Sequence, residues 1–335
     1  MGKVVCFGEL LLRFTAPGRE LLMQSPRLDV HVGGAEANVA VGLARLGHHC
    51  DMVSRVPDNP LGEAATGHLQ RFGVGTDCVS RGPGRMGLYF LSPGAGLRSS
   101  AIVYDRDGSS FALAEAGDFD WSRTLDGASF LHLSGITPAL GMRSAAAALA
   151  AVEAAQDKGV KISFDGNYRA QLWNRWRSEP RAILTELITR ADILFGNHRD
   201  ISLLLGREFG GEGEERRREA ALAAFEAFPK LQAIASTARH LDDADRHRVA
   251  ARIDTRDAAF ATDEILVSGI VDRIGSGDAF AAGVLHGLIA GHEMETTVRY
   301  GLALACLKHS LPGDASLFGQ DDIDAFLAGE LDVRR

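Results

Sequence analysis

Late in the chain, Val271-Asp272-Arg273-Ile274-Gly275-Ser276-Gly277-Asp278 leads into a small, apolar run at 279–288. Two glycines one residue apart permit a backbone turn that β-carbons would obstruct, and the run after them reads as a buried helix. If Gly275, Ser276 and Gly277 open that helix, their free N–H groups and the positive end of the helix dipole form a seat for an anion. A carboxylate at the same spot would repel the anion if capping were its only task. Asp278 makes sense as a base that takes a proton beside a phosphate. The chemistry implied is phosphoryl transfer, and the rest of the chain must then supply a nucleotide, an acceptor hydroxyl and a lid.

Other clusters could serve those needs. In Gly33-Gly34-Ala35-Glu36-Ala37-Asn38 the glycine pair lets a ligand approach the backbone at a helix start, with Asn38 one turn in; a plain helix start would not need both glycines. Asp165-Gly166-Asn167-Tyr168-Arg169 and Asn197-His198-Arg199-Asp200 each follow a buried strand, and α/β sheets bind ligands at the carboxyl ends of their strands. Tyr89, Tyr104 and Arg106 fall on strands that could cover such a site, and ordinary packing explains them equally well.

The elements that position these residues can be read from periodicity. An apolar run at 3–7 is a first buried strand, and strand pairs are expected at 10–14 with 28–32 and at 86–91 with 101–104. Helices are expected at 35–46 and 61–72, each closed by a glycine. From about 119 strands and helices alternate: strands at 130–133, 161–165, 193–196 and 231–235, helices at 143–158, 181–189 and 199–205. This order predicts an α/β fold, a doubly wound and mostly parallel sheet. The chain reads as one domain, 1–335, with a discontinuous β-strand lid at about 10–33 and 86–112 that covers an active site. Arg216-Arg217-Arg218 reads as a solvated helix face, and the charge-dense 239–248 as an exposed loop or hairpin. Helices near 279–290, 294–308 and 321–326 complete the chain.

Composition narrows the function. The 335 residues are 46% apolar and 24% charged, ordinary for a globular protein. A net charge of -8 argues against nucleic acid or an anionic membrane as the main partner. Cys6, Cys50, Cys78 and Cys306 have no metal-binding or redox spacing and read as buried free thiols. With no signal peptide legible at the start and no apolar run of spanning length, the expected location is cytoplasmic. The P-loop pattern, the dinucleotide fingerprint, zinc spacings and the hydrolase elbow G-x-S-x-G are all absent.

Gly33-Gly34 before the first helix and the late Gly275-x-Gly277-Asp278, in this order, resemble the ribokinase-like (PfkB) family of carbohydrate kinases over essentially the whole chain. Within it, Val32 to Ala40, Phe130 to Leu140 and Asn167-Tyr168-Arg169 are similar to the 2-keto-3-deoxygluconate kinases. The resemblance implies an ATP- and Mg2+-dependent transfer to the terminal hydroxyl of that acid sugar, giving the 6-phosphate. The galactonate epimer, a neutral sugar such as fructose, tagatose or ribose, and a non-catalytic nucleotide- or sugar-sensing role are the alternatives.

At matching positions the resemblance assigns Asp278 as base and Gly275, Ser276 and Gly277 as anion hole. Gly34, Asn38, Tyr89, Tyr104, Arg106 and Asp314 go to the sugar, and Arg169 to its carboxylate. Asn167 and Asn197 face ATP, with Asp200 serving Mg2+ through water where the family carries a longer glutamate. Ser236 opens Ser236-Thr237-Ala238-Arg239-His240-Leu241, which stands where the family has a glycine-rich nucleotide loop. Arg273 and Ser276 are further departures from its Asp-Thr-x-Gly-Ala-Gly-Asp. A lid of short strands leaves free edges, so a homodimer through the lid is expected.

Overall fold

The structure, a computed structural model, describes residues 2–330. The first strand, β1 (Lys3–Phe7), shows why the sheet is buried on both sides. Val4 and Cys6 join one apolar cluster while Val5 and Phe7 join the other, the two-residue alternation of a strand. The helices Ala35–Arg45, Ser276–Ala290 and Met294–Lys308 cover the first face. Met142–Asp157, Pro180–Ile188 and Gly213–Ala227 cover the second.

Four of the remaining strands make the lid: β2 (Leu11–Thr15), β3 (Asp29–Gly33), β6 (Gly87–Ser92) and β7 (Ala101–Asp105). They pair in the order β3-β2-β6-β7 as a separate four-stranded sheet. The main sheet adds β4 (Cys50–Pro57), β5 (Gly75–Gly82), β8 (Ala128–Ser134), β9 (Lys161–Asp165) and β10 (Ile193–Phe195). Beyond these lie β11 (Ala233–Asp243), β12 (Arg246–Asp254), β13 (Ala259–Ala261) and β14 (Ile265–Ser268). Its order is β13-β12-β11-β10-β9-β8-β1-β4-β5, with β14 also paired to β12. The run from β11 to β5 is parallel. The fold is therefore α/β with a mostly parallel central sheet.

The 239–248 region takes the second of its two expected forms, an exposed hairpin: β11 and β12 pair antiparallel from Ile234↔Asp254 to Asp243↔Arg246, and Ser236 to Leu241 continue β11. Elsewhere the sequence reading departs from this architecture. Strands β13 and β14, short and partly exposed, carried no period to betray them. Arg218 is not a solvated charge either. Its Nη1 donates to Asp254 Oδ1 at 3.0 Å and to the carbonyls of Thr255 and Ala258, tying the helix to the turn after β12. Of the four free cysteines, Cys6, Cys50 and Cys306 are buried and Cys78 is half-buried.

Candidate active site

The Ser276–Ala290 helix begins at Gly275, which holds a left-handed φ of 78°. A β-carbon there would lie 1.6 Å from the carbonyl oxygen of Asp314, so both conformation and space exclude a side chain. Gly277 differs: no protein atom comes within 4 Å of where its β-carbon would be. The space above Gly277 is open cavity, at the end of the helix where amide groups lack intrahelical partners.

Asp278 sits in the first turn of this helix. Its Oδ2 accepts a 2.7 Å hydrogen bond from Asn38 Nδ2. Burial pushes the Asp278 carboxyl up to about 8, opposed by the Asn38 hydrogen bond and reinforced by the charges of Asp165, Glu36 and Asp314. Asn38 comes from the Ala35–Arg45 helix, which starts after Gly34 at a φ of 144°. A β-carbon on Gly34 would lie 2.3 Å from the Glu9 carbonyl oxygen, so the glycine seats this helix tightly on the chain after β1.

On the lid, in-register pairing puts Arg13, Tyr89 and Tyr104 on one face. Tyr89 donates its hydroxyl to Asp314 Oδ2, and the two tyrosine rings lie 6.1 Å apart. The Asp314 carboxylate is thus already engaged, with Arg13 Nε also 3.2 Å from its Oδ1. Arg106 is buried and its Nε pairs with Glu9 Oε2. The Arg169 guanidinium makes one hydrogen bond, to the Tyr168 carbonyl at 3.1 Å, and no carboxylate of the described residues lies within ion-pair distance of it.

The opposite wall carries Asn167, Asn197, Asp200 and Ser236. Asn167 holds a φ of 37°, a left-handed conformation that asparagine tolerates better than most residues, and its N–H donates to Asp165 Oδ1 at 3.1 Å. Asn197 and Asp200 form a reciprocal cap on the helix His198–Leu205: Asp200 Oδ2 accepts from the Asn197 N–H, and Asn197 Oδ1 from the Arg199 N–H. A β-carbon on Gly166 would lie 3.2 Å from the second Asp200 oxygen, so that glycine leaves room for the carboxylate. Burial, and then the nearby Asp200 charge, lift Asp165 to about 7. Among the described residues no group of three or more His, Cys, Asp or Glu is placed to hold a metal. Two neighbouring carboxylates of this kind fit magnesium, which keeps most of its waters and completes its shell with phosphate oxygens.

All of the site residues expected from sequence line a single cavity of about 830 Å³ between lid and sheet. A profile of the pfkB family of carbohydrate kinases matches residues 1–238 and 250–318. The chain belongs to the pfkB family of carbohydrate kinases. A 2-dehydro-3-deoxygalactonokinase of Haloferax volcanii is 32% identical over 98% of this chain and 97% of its own length. A 2-dehydro-3-deoxygluconokinase of Bacillus subtilis is 28% identical over 99% and 97%. The solved 2-dehydro-3-deoxygluconokinase of Thermotoga maritima is 36% identical, with a TM-score of 0.94 over 98% of this chain and 100% of that one. This protein is thus an ATP-dependent sugar kinase, a phosphotransferase with an alcohol acceptor. Kinases of the family use ATP with Mg2+, and a ribokinase-like structure from E. coli was solved with both. No helix of the described residues is long and apolar enough to cross a membrane.

Several residues of this kinase site were not singled out from the sequence. Arg13 is fully buried and bonds Asp272 through Nη2. Asp272 also accepts the N–H groups of Ile274 and Gly313. Lys308, equally buried, donates to the carbonyls of Asp272 and Leu311. The available signal was a lone arginine at an inward position of Leu11–Thr15 and a lone lysine within an apolar helix. Arg239 and Arg273, seen in the sequence only as departures from the family pattern, also line the cavity, as do Asp165 and Arg199 of the two strand-end clusters expected to bind ligand.

Proposed function

We propose that this kinase phosphorylates 2-keto-3-deoxy-D-gluconate at its terminal hydroxyl, giving the 6-phosphate. The observation that carries the acid-sugar reading is Arg169: a guanidinium in the same cavity as Asp278 that makes no ion pair, its charge reaching Asp165 and Asp200 only at longer range. A substrate carboxylate would complete it with bidentate geometry. Arg106 shares the cavity, but Glu9 already balances its charge, so Arg169 is the stronger recognition element. Gly34 and Asn38 would bind the sugar hydroxyls, with Tyr89 and Tyr104 as its cover and Asp314 behind Tyr89.

In the transfer, the Asp278 carboxylate takes the proton of the terminal hydroxyl. The oxygen so freed bonds to the γ-phosphorus of ATP, while the bond from that phosphorus to the β–γ bridging oxygen breaks and ADP departs. The amides at Gly275, Ser276 and Gly277 would stabilise the oxygens of the moving phosphoryl group. One well-aimed donor of this kind is worth about 3 kcal/mol in the transition state. Asn167, Asn197 and Ser236 would face the nucleotide. Asp165 and Asp200 would hold magnesium through water, its contribution being neutralisation of phosphate charge. Exclusion of water by the lid keeps the sugar as the only acceptor.

A coupled assay of ADP release over a panel of acid and neutral sugars tests the reading. Ketodeoxygluconate should exceed fructose, tagatose and ribose in kcat/KM by about a hundredfold or more, since a fully made charged contact is worth several kcal/mol. A neutral sugar matching it would overturn the assignment. The galactonate epimer is the second reading, favoured by the relative in Haloferax volcanii, and the same panel ranks the two.

A cytoplasmic setting belongs to the same reading, supported by the four free cysteines. So does a homodimer through the lid. On the lid face away from the cavity, register groups Leu12, Phe14, Leu88 and Phe90 with Val30 and Val103; Leu12, Phe14 and Leu88 already pack on the core, which leaves the edge positions open. Val30 is 54% and Val103 56% exposed, and an apolar sheet face of this kind is normally covered. A clean monomer in light scattering would remove the dimer.

A further inference from the structure

Two guanidiniums in the cavity have no task in the transfer described above. Arg239 projects from β11, four residues past Ala235, where the parallel pairing with β10 ends. Arg273 lies in the loop two residues before Gly275, at the threshold of the amide seat. Both line the cavity together with Ser236, Ser276 and Gly277. The Arg273 carbonyl accepts the Ser276 N–H and Arg239 pairs with Val249 in the β11–β12 ladder, but neither guanidinium has a hydrogen bond or an ion pair among the described residues. The nearest acidic group in sequence, Asp272, is already occupied by Arg13 and by the N–H groups of Ile274 and Gly313.

Burial lowers the Arg239 pKa, and the charge of Arg273 lowers it further, so the two cations stand close enough to repel. His247, on the neighbouring strand β12, is held down to about 4, mainly by burial and then by Arg239, His309 and Arg273. This wall of the cavity is therefore positively charged and lacks a protein anion to match it. Arg239 is exposed along β11 and Arg273 half-buried, so water screens part of this repulsion, and an anion of high charge density at the amide seat would relieve the rest.

We infer that Arg239 and Arg273 form a clamp for the polyphosphate of the donor nucleotide, acting with the amides at Gly275 to Gly277. The inference rests on the kinase reading and specifies how its donor is held. The grip comes from two forked guanidiniums, each able to bond two phosphate oxygens. They stand on the strand and loop that replace the family's glycine-rich nucleotide segment and the threonine of its late motif.

The test uses the full-length enzyme and its Arg239→Ala, Arg273→Ala, Arg239→Lys and Arg273→Lys variants, each checked for folding by thermal melting. Inorganic tripolyphosphate is titrated calorimetrically without sugar, and KM for ATP and for the sugar are measured separately. Each alanine variant should weaken tripolyphosphate binding and raise the ATP KM by about tenfold or more, the scale of a lost charge-assisted contact. The sugar KM should stay within about twofold, and the lysine variants should recover part of the loss because they keep the charge. Tripolyphosphate affinity and ATP KM unchanged in both alanine variants would overturn the clamp. The titration does not depend on turnover. A wild-type enzyme that binds tripolyphosphate through these arginines yet phosphorylates no sugar would sink the proposed function and leave the clamp standing.

Discussion

Asn38 holds the Asp278 carboxylate by a 2.7 Å hydrogen bond across a contact between two helices separated by 240 positions in sequence. Burial raises the Asp278 pKa to about 8 and this hydrogen bond works against the rise. A base must be deprotonated to act, so kcat/KM for the sugar should climb with pH through a limb far above the ordinary carboxylate range. Replacing Asn38 with Leu removes the lowering contact and should move that limb to higher pH. The check is a pH profile at saturating ATP; a flat profile from about pH 6 to 9 would contradict the assignment.

Asp278→Asn should cost turnover several orders of magnitude while leaving ATP binding largely intact. The same change should also stabilise the fold at neutral and alkaline pH. With a folded pKa above the unfolded one, the native state binds the extra proton between about 4 and 8. Stability is therefore full below the unfolded value and lost as pH rises through the folded one. Asparagine cannot ionise, so the gain in melting temperature should be larger at pH 8 than at pH 5. Equal shifts at both would count against the buried-carboxylate account.

The two glycines of the seat should separate stability from catalysis. Gly275→Ala places a β-carbon against the Asp314 carbonyl at a left-handed φ and should destabilise the protein by about 1–3 kcal/mol. Gly277→Ala meets no protein atom within 4 Å, so the melting temperature should hold while kcat/KM falls as the methyl invades the phosphate space. Melting curves set beside kinetics decide it; loss of stability in the Gly277 variant would place that residue in packing instead.

Arg169→Ala should damage acid sugars far more than neutral ones. Loss of a charged hydrogen-bonded partner predicts a fall of about 2–3 kcal/mol in transition-state binding for ketodeoxygluconate, with fructose or ribose little affected. Equal losses on both classes would remove the carboxylate role.

Arg13→Met should leave the buried Asp314 and the half-buried Asp272 without the guanidinium they share, a loss of about 3–5 kcal/mol. Burial already raises the Asp314 pKa, and Arg13 counters that rise. Protonation at low pH would neutralise the orphaned acid, so the deficit should shrink from pH 8 to pH 5. Chemical denaturation at the two pH values reads the difference, and a pH-independent deficit would assign Arg13 to packing alone.

Much of this architecture was legible because periodicity carries it. Val4 to Phe7 alternate between two cores, and helices such as Ala35–Arg45 end where a glycine follows. Glycine spacing also marked the helix start at Gly275 and the open position at Gly277. What escaped had no period or no local signal. The strands Ala259–Ala261 and Ile265–Ser268 are too short to alternate convincingly, and β12 draws its support from β11 rather than from its own residues. Arg218 looked solvated because its acceptors, the carbonyls of Thr255 and Ala258, lie on a turn that only the fold brings near. Arg13, Asp272 and Lys308 form a network spanning almost the whole chain length, and no short motif can announce it.

Asp314 touches both halves of the chemistry. Its carbonyl rests where Gly275 has no side chain, and its carboxylate receives the hydroxyl of Tyr89 on the lid. Under the proposed function, a shift of the lid over the sugar would reach, through Asp314, the peptide that begins the Ser276–Ala290 helix. Acceptor and donor affinities then belong to one thermodynamic cycle, in which whatever factor the sugar adds to nucleotide binding, the nucleotide returns to the sugar.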